Sequence, residues 1–215
     1  MVHARSGQLL DSLAAVGLRP EDIDTVVFSH LHPDHVGWIS IGGTLTFPRA
    51  RHLVSRNEWE FWTGPDNPGG TNGPDVDTVL SPLKDRVELI EDGDTIAPGV
   101  TVRATPGHTP GHVSLIVTDP AGVQPGQIAI LGDILHWHGQ FVERDVAFVA
   151  DVDVDLAKAT RDELLNEYAD SATIVAAGHF SDDVFGRISS TPSGLTWTPS
   201  TQCLLVIGRE RAARR

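Results

Sequence analysis

Short apolar runs separated by polar, glycine- and proline-rich stretches set the pattern of this chain. Thr25-Val26-Val27-Phe28, Arg51 to Ser55, Val87 to Ile90, Thr95-Ile96, Val100 to Ala104, Val113 to Val117, Ile128 to Leu131 and Thr173 to Ala176 are rich in β-branched and aliphatic residues and bounded by turn formers. They read as strands. Gly186 to Ser189 and Leu195 to Thr198 read as two more near the C-terminal end. The clearest helical period lies in Asp155 to Tyr168, where Leu156, Ala159, Leu164 and Tyr168 are spaced for a buried stripe and Asp153 or Asp155 can cap the start. Ser6 to Gly17 and His35 to Ser40 read as helices, and Arg56 to Trp62 as an aromatic-rich helical turn. Thr63 to Asp75 holds four Gly and three Pro and reads as a loop. No internal repeat interrupts this alternation, which predicts one mixed α+β domain over residues 1–215.

Composition narrows the class. A chain of 215 residues can bury a substantial core, and 40% hydrophobic with 21% charged residues is ordinary for a globular protein. The net charge of −13 argues against nucleic acid, which needs a basic face. No apolar run is long enough to span a bilayer and no secretory pattern is seen, so no membrane partner is expected. The single cysteine, Cys203, precedes Leu204-Leu205-Val206-Ile207 and reads as a small buried hydrophobe, which suits a reducing cytoplasm. The four arginines within 209–215 read as a frayed tail.

The densest chemistry is His30-Leu31-His32-Pro33-Asp34-His35, four potential metal ligands in six residues directly after a strand. Imidazole with carboxylate suits zinc and its first-row neighbours. Pro33 is expected to stop the segment from continuing as a helix, leaving the ligands on a turn. Three further strand ends repeat the theme. Thr105 to His112 (TPGHTPGH) presents His108, His112 or both on paired Pro-Gly turns; Leu131-Gly132-Asp133 ends an apolar strand in an acid; Ala177-Gly178-His179 ends another in histidine. An acid such as Asp133 needs a cation or donors to offset its desolvation.

In these motifs and their order the chain resembles the metallo-β-lactamase-fold hydrolases. The resemblance implies an αβ/βα sandwich with two divalent ions: His30, His32 and His108 on one, Asp34, His35 and His179 on the other, Asp133 bridging. His112 is then a support behind the ligands. Zinc is the expected ion, with manganese, iron or cobalt as alternatives. Two such ions roughly 3.5–4 Å apart can share a water, lower its pKa and hold hydroxide against an ester-type bond. The family pattern places several strands ahead of the hexapeptide. Here 29 residues precede it, so the chain resembles an N-terminally truncated member that starts late. Open strand edges and apolar surface would then favour a homodimer.

Local motifs resemble most the branch containing methyl parathion hydrolases and N-acyl-homoserine lactonases, which implies a small-molecule lactone, carboxylic ester or phosphotriester. His136, three residues past Asp133, is similar to the parathion-hydrolase type; the lactonase type tends to place Tyr there. Asp34, Asp133 and His136 are the candidate catalytic residues. Trp38, Phe61 and Phe141 are candidates for an apolar substrate pocket, with Trp59, Trp62 and Phe148 divided between pocket and core. A glyoxalase II-type thioesterase would keep the same ligands but want a basic C-terminal segment, which is not evident. A metal-binding remnant without activity is the non-enzymatic alternative.

Overall fold

The computed structural model describes residues 7–65, 67, 72–122, 126–180 and 183–200. Cys203 and the 209–215 tail fall outside them. The chain divides into two compact units, Met1–Glu91 and Asp92–Arg215.

In the first unit a short helix α1 (Leu9–Ala15) leads through a turn to β1 (Thr25–Val27). A one-turn helix α2 (Pro33–Val36) and a small hairpin of β2 (Ser40–Ile41) and β3 (Thr44–Leu45) follow. Next come β4 (Arg51–Ser55), α3 (Arg56–Thr63), a π-helical turn at Val76–Leu80 running into α4 (Ser81–Leu83), and β5 (Val87–Ile90). Strands β1, β4 and β5 form a three-stranded parallel sheet with β4 in the centre. Its central place explains β4's sequence: His52, Leu53, Val54 and Ser55 are all buried, as a strand covered on both faces requires. Phe28, Leu31, Val36, Ile39, Val54, Trp62, Val79 and Leu83 make this unit's core.

The second unit is built on a seven-stranded sheet. Its strands are β6 (Thr95–Ala97), β7 (Val100–Ala104), β8 (Val113–Thr118), β9 (Gln127–Ile130), β10 (Ile174–Ala176), β11 (Phe185–Thr191) and β12 (Gly194–Pro199). They lie in sequence order across the sheet, antiparallel throughout except for the parallel pair β9–β10. A parallel pair needs a crossover, and α5 (Val154–Tyr168) lies within it. Asp153 caps α5 by accepting from the Leu156 N–H at 3.0 Å. Leu164, Leu165 and Tyr168 pack with Leu131, Leu135, Val175, Phe180 and Ile188 in the second core.

Three sequence expectations need correction. Pro33 begins a helix instead of preventing one: at the first helical position its missing N–H is one the helix leaves unpaired anyway, so α2 spans Pro33–Val36 and not 35–40. The buried stripe of α5 is Ala157, Arg161, Leu164, Leu165 and Tyr168, while Leu156 and Ala159 are exposed. An apolar count could not find that face because a buried arginine occupies its centre. The first helix covers only Leu9–Ala15, ending before Gly17, whose φ is +78°.

Candidate metal centre

The first unit contributes the hexapeptide. After β1 the chain bends at Ser29; His32, itself extended, precedes the first turn of α2, and Asp34 falls in that turn. His30 and His32 are buried, with rings edge-to-face at 4.7 Å between centroids. The His35 ring lies 4.1 Å from that of His30, and His35 Nε2 is 3.5 Å from Asp34 Oδ2. Asp34 and His35 are the more exposed pair. Four ligand-type side chains therefore share one short turn.

That turn is held from below by Glu58, which the sequence reading passed over. Ser55-Arg56-Asn57-Glu58 reads as a reciprocal cap at the start of α3, and Ser55 Oγ does accept from the Glu58 N–H at 3.2 Å. The Glu58 carboxylate, however, is fully buried and accepts from the Leu31 N–H at 2.8 Å and from the Trp62 indole N–H at 2.7 Å. Leu31 sits between two candidate ligands, and the Trp62 ring lies 5.8 Å from that of His32. One carboxylate fixes both backbone and packing of the hexapeptide.

The second unit gathers its histidines around one acid. Gly132, with φ +60°, turns the chain after β9 and places Asp133 in a short 3₁₀ turn with its side chain buried. Onto Asp133 Oδ2 converge the Nε2 atoms of His179 at 3.1 Å, His108 at 3.3 Å and His136 at 3.3 Å. His108, Asp133 and His136 each place a ligand atom within 4.8 Å of the others.

The three rings are oriented differently. His108 Nδ1 lies 2.9 Å from Asp151 Oδ1. His136 stacks on Phe148 with centroids 3.6 Å apart and planes 16° from parallel, while Gln140 Oε1 accepts its backbone N–H at 2.7 Å. His179, on the turn after β10, is the most exposed of the three. Burial lowers the pKa of His136 and the neighbouring His108 and His179 add to this, outweighing the pull of Asp133, so its ring is held neutral. Asp151 keeps a lowered pKa although burial opposes it, because His108 and the Phe148 N–H bond its charged form.

His112 is placed otherwise. Its Nε2 accepts from the Asp133 backbone N–H at 3.0 Å and its Nδ1 lies 3.0 Å from the Thr105 carbonyl. Nε2 thus holds the Asp133 turn, while Nδ1 is engaged with Thr105. Gly107 lets the neighbouring turn approach α5: with φ +132°, it lies where a Cβ would come within 2.3 Å of the Ala157 nitrogen.

The donor chemistry fits a divalent cation. When His108 Nδ1–H donates to Asp151, Nε2 presents a lone pair to a carboxylate oxygen, an arrangement that needs a proton or cation between them. Imidazole nitrogens crowded onto one carboxylate oxygen are chemistry that bound metal cations satisfy.

The other candidates are scattered. Trp38 is half-buried beyond α2, and Phe61 is half-buried on α3 with its ring 4.8 Å from that of Trp62. Phe141 is packed in the second core, stacked on Trp197 at 5.8 Å and edge-on to Phe180 at 6.0 Å. Trp62 is buried and Trp59 partly so. Phe148 stacks on His136, and its ring lies 6.0 Å from that of His108.

Each cluster gathers imidazole and carboxylate groups near strand ends, the donor chemistry of a metal-binding protein. The chain belongs to the metallo-beta-lactamase superfamily, whose family model matches residues 2–179. It is 37% identical over 120 residues to the N-acyl homoserine lactonase AttM of Rhizobium radiobacter, a match covering 52% of this chain and 42% of that protein. An N-acyl homoserine lactonase of a Bacillus species is 29% identical over 174 residues, covering 80% of this chain and 62% of the relative. The chain thus spans about half the length of the curated relatives it matches. Among solved structures, the hydrolase AbOPH of the beta lactamase superfamily superposes with a TM-score of 0.79 at 32% identity, covering 90% of this chain and 70% of that one. The dizinc quorum-quenching lactonase AidC shares the fold, with a TM-score of 0.77 at 24% identity over 93% of this chain and 72% of that chain. The fold is therefore the mixed α/β metallo-beta-lactamase fold.

Proposed function

We propose that this chain, as one metallo-β-lactamase-like domain over 1–215, carries a dinuclear metal centre that hydrolyses the ester bond of a lactone, with N-acyl homoserine lactones the first substrate class. The observation that carries the reading is the convergence of His108, His136 and His179 on Asp133 Oδ2. Family membership supports it, because the family model runs across both units. So do the names of the relatives, which describe lactonases.

His30, His32 and His108 would hold one ion, Asp34, His35 and His179 the other, and Asp133 would be shared; zinc is the ion proposed. Bound dications supply Lewis acidity and an activated water. Among the chain's own groups, Asp133 would offset part of the charge of bound cations. His136, neutral and braced by Phe148, is placed to donate a hydrogen bond to a substrate oxygen or to the leaving alkoxide. Lys or Arg would bring a further charge to that position, which the imidazole does not. A second reading, hydrolysis of aryl phosphotriesters, is favoured by that same imidazole three residues past Asp133. No helix of the described residues is long and apolar enough to cross a membrane.

Asp133→Ala tests the reading. With the shared carboxylate gone, lactone turnover by the zinc-loaded protein should be abolished and metal content should fall. Near-parental turnover by the variant would contradict the dinuclear mechanism.

A further inference from the structure

We infer that Asp151 is a positioning residue for the metal centre: it fixes the ring orientation and tautomer of His108 and, through Phe148, braces His136. The inference rests on the reading of His108 as a ligand given above, and goes beyond it in assigning a role to a residue outside the ligand set.

Asp151 lies on the segment leading into α5, and its carboxylate is 2% exposed. Burying a carboxylate is costly unless each oxygen finds a donor. Here both do. Oδ1 faces His108 Nδ1 at 2.9 Å, and Oδ2 accepts from the Phe148 N–H at 3.0 Å. The first bond places the proton of a neutral His108 on Nδ1 and leaves the Nε2 lone pair directed at the Asp133 side. The second closes the turn that carries the Phe148 ring onto His136. A single side chain thus orders two of the three imidazoles that converge on Asp133.

The segment is itself anchored, so the carboxylate has a fixed base. The Val152 N–H donates to the His108 carbonyl and the Asp153 N–H to the Gly107 carbonyl, both at 3.0 Å. Arg161, buried on α5, donates to the carbonyls of Arg144 and Val146 at 2.9 Å each. This anchoring gives the buried arginine a structural reason, and it holds Asp151 in register with His108 whatever the state of the ligands. Within Asp151-Val152-Asp153, one acid orients a ligand and the next caps a helix, two roles that the repeated sequence hides.

The test compares the full chain with Asp151→Asn and Asp151→Glu. Asn preserves shape but can donate as well as accept, so the tautomer is no longer dictated; Glu keeps the charge on a longer arm. Zinc affinity is measured by chelator competition, folding by circular dichroism, and the His108 tautomer by nitrogen–proton NMR correlations on the metal-free protein at alkaline pH. The expectation is an Nδ1–H tautomer in the parent and a mixture in D151N. Zinc binding should be about 10–100-fold weaker in folded D151N, the usual cost of losing a partner behind a metal ligand. D151E should recover part of that loss. Parental zinc affinity and an unchanged tautomer in D151N would overturn the inference. If neither the parent nor the variants take up zinc, the metal reading itself fails, and the tautomer measurement alone then decides: Nδ1–H lost in D151N upholds the orienting role, and no change refutes it.

Discussion

Replacing Glu58 should damage the hexapeptide without touching a ligand. The carboxylate is fully buried and accepts two N–H groups, from the Leu31 backbone and the Trp62 indole. Glu58→Ala leaves both donors buried with no acceptor in place of the carboxylate. Each such orphan costs about 1–3 kcal/mol, so a combined loss of about 2–6 kcal/mol follows, reduced by whatever water enters the vacated space. Part of the loss is offset because a buried charge no longer has to be desolvated. Glu58→Gln keeps an acceptor oxygen at the same reach and should lose about 0.5–2 kcal/mol, the difference between charged and neutral hydrogen bonds. The assay is urea unfolding read by tryptophan fluorescence, comparing midpoints at constant slope so that stability alone is compared. Metal affinity should fall in the same order, since Leu31 lies between His30 and His32. The reasoning is refuted if E58A unfolds within about 0.5 kcal/mol of the parent, the range of an ordinary surface substitution.

Two further results are expected. His108→Ala should cost more metal than His112→Ala, because both His112 nitrogens are engaged with Asp133 N–H and the Thr105 carbonyl; equal and complete metal loss in both, measured by elemental analysis, would mean the ligand was misassigned. Stability should fall on acidification through His52, buried on β4, whose pKa is held below the ordinary histidine value of 6.5 by burial and by the Arg86 charge, against a contact with the Ala50 backbone. The unfolded chain then binds the proton first, so the contribution is present above pH 6.5 and is lost as pH falls below it. His52→Leu should flatten that part of the pH–stability curve relative to the parent; an unchanged slope would count against it.

The parts of this molecule that could be read from sequence are those in which composition and function coincide. Strands β4, β5 and β7 match the expected spans residue for residue, because turn formers or charged residues bound each apolar run. The ligand-type residues were legible because histidine and aspartate at the ends of apolar strands have few structural reasons to be there. What stayed hidden depends on burial. Glu58 reads as a helix cap until the Leu31 and Trp62 donors are seen to meet it. Nothing in the sequence marks Asp151 as the acid facing His108, or Arg161 as buried on the inward face of α5. Phe141 and Phe148 are equivalent in sequence; packing sends one into the core beside Phe180 and the other onto His136.

The central claim is that these ligand-type residues assemble into a two-metal centre, and elemental analysis of the purified, monodisperse chain after zinc reconstitution tests it most directly. The account predicts close to two zinc ions per chain, with lactone turnover rising as the metal is restored. Essentially no bound metal, in a chain shown to be folded, would contradict it.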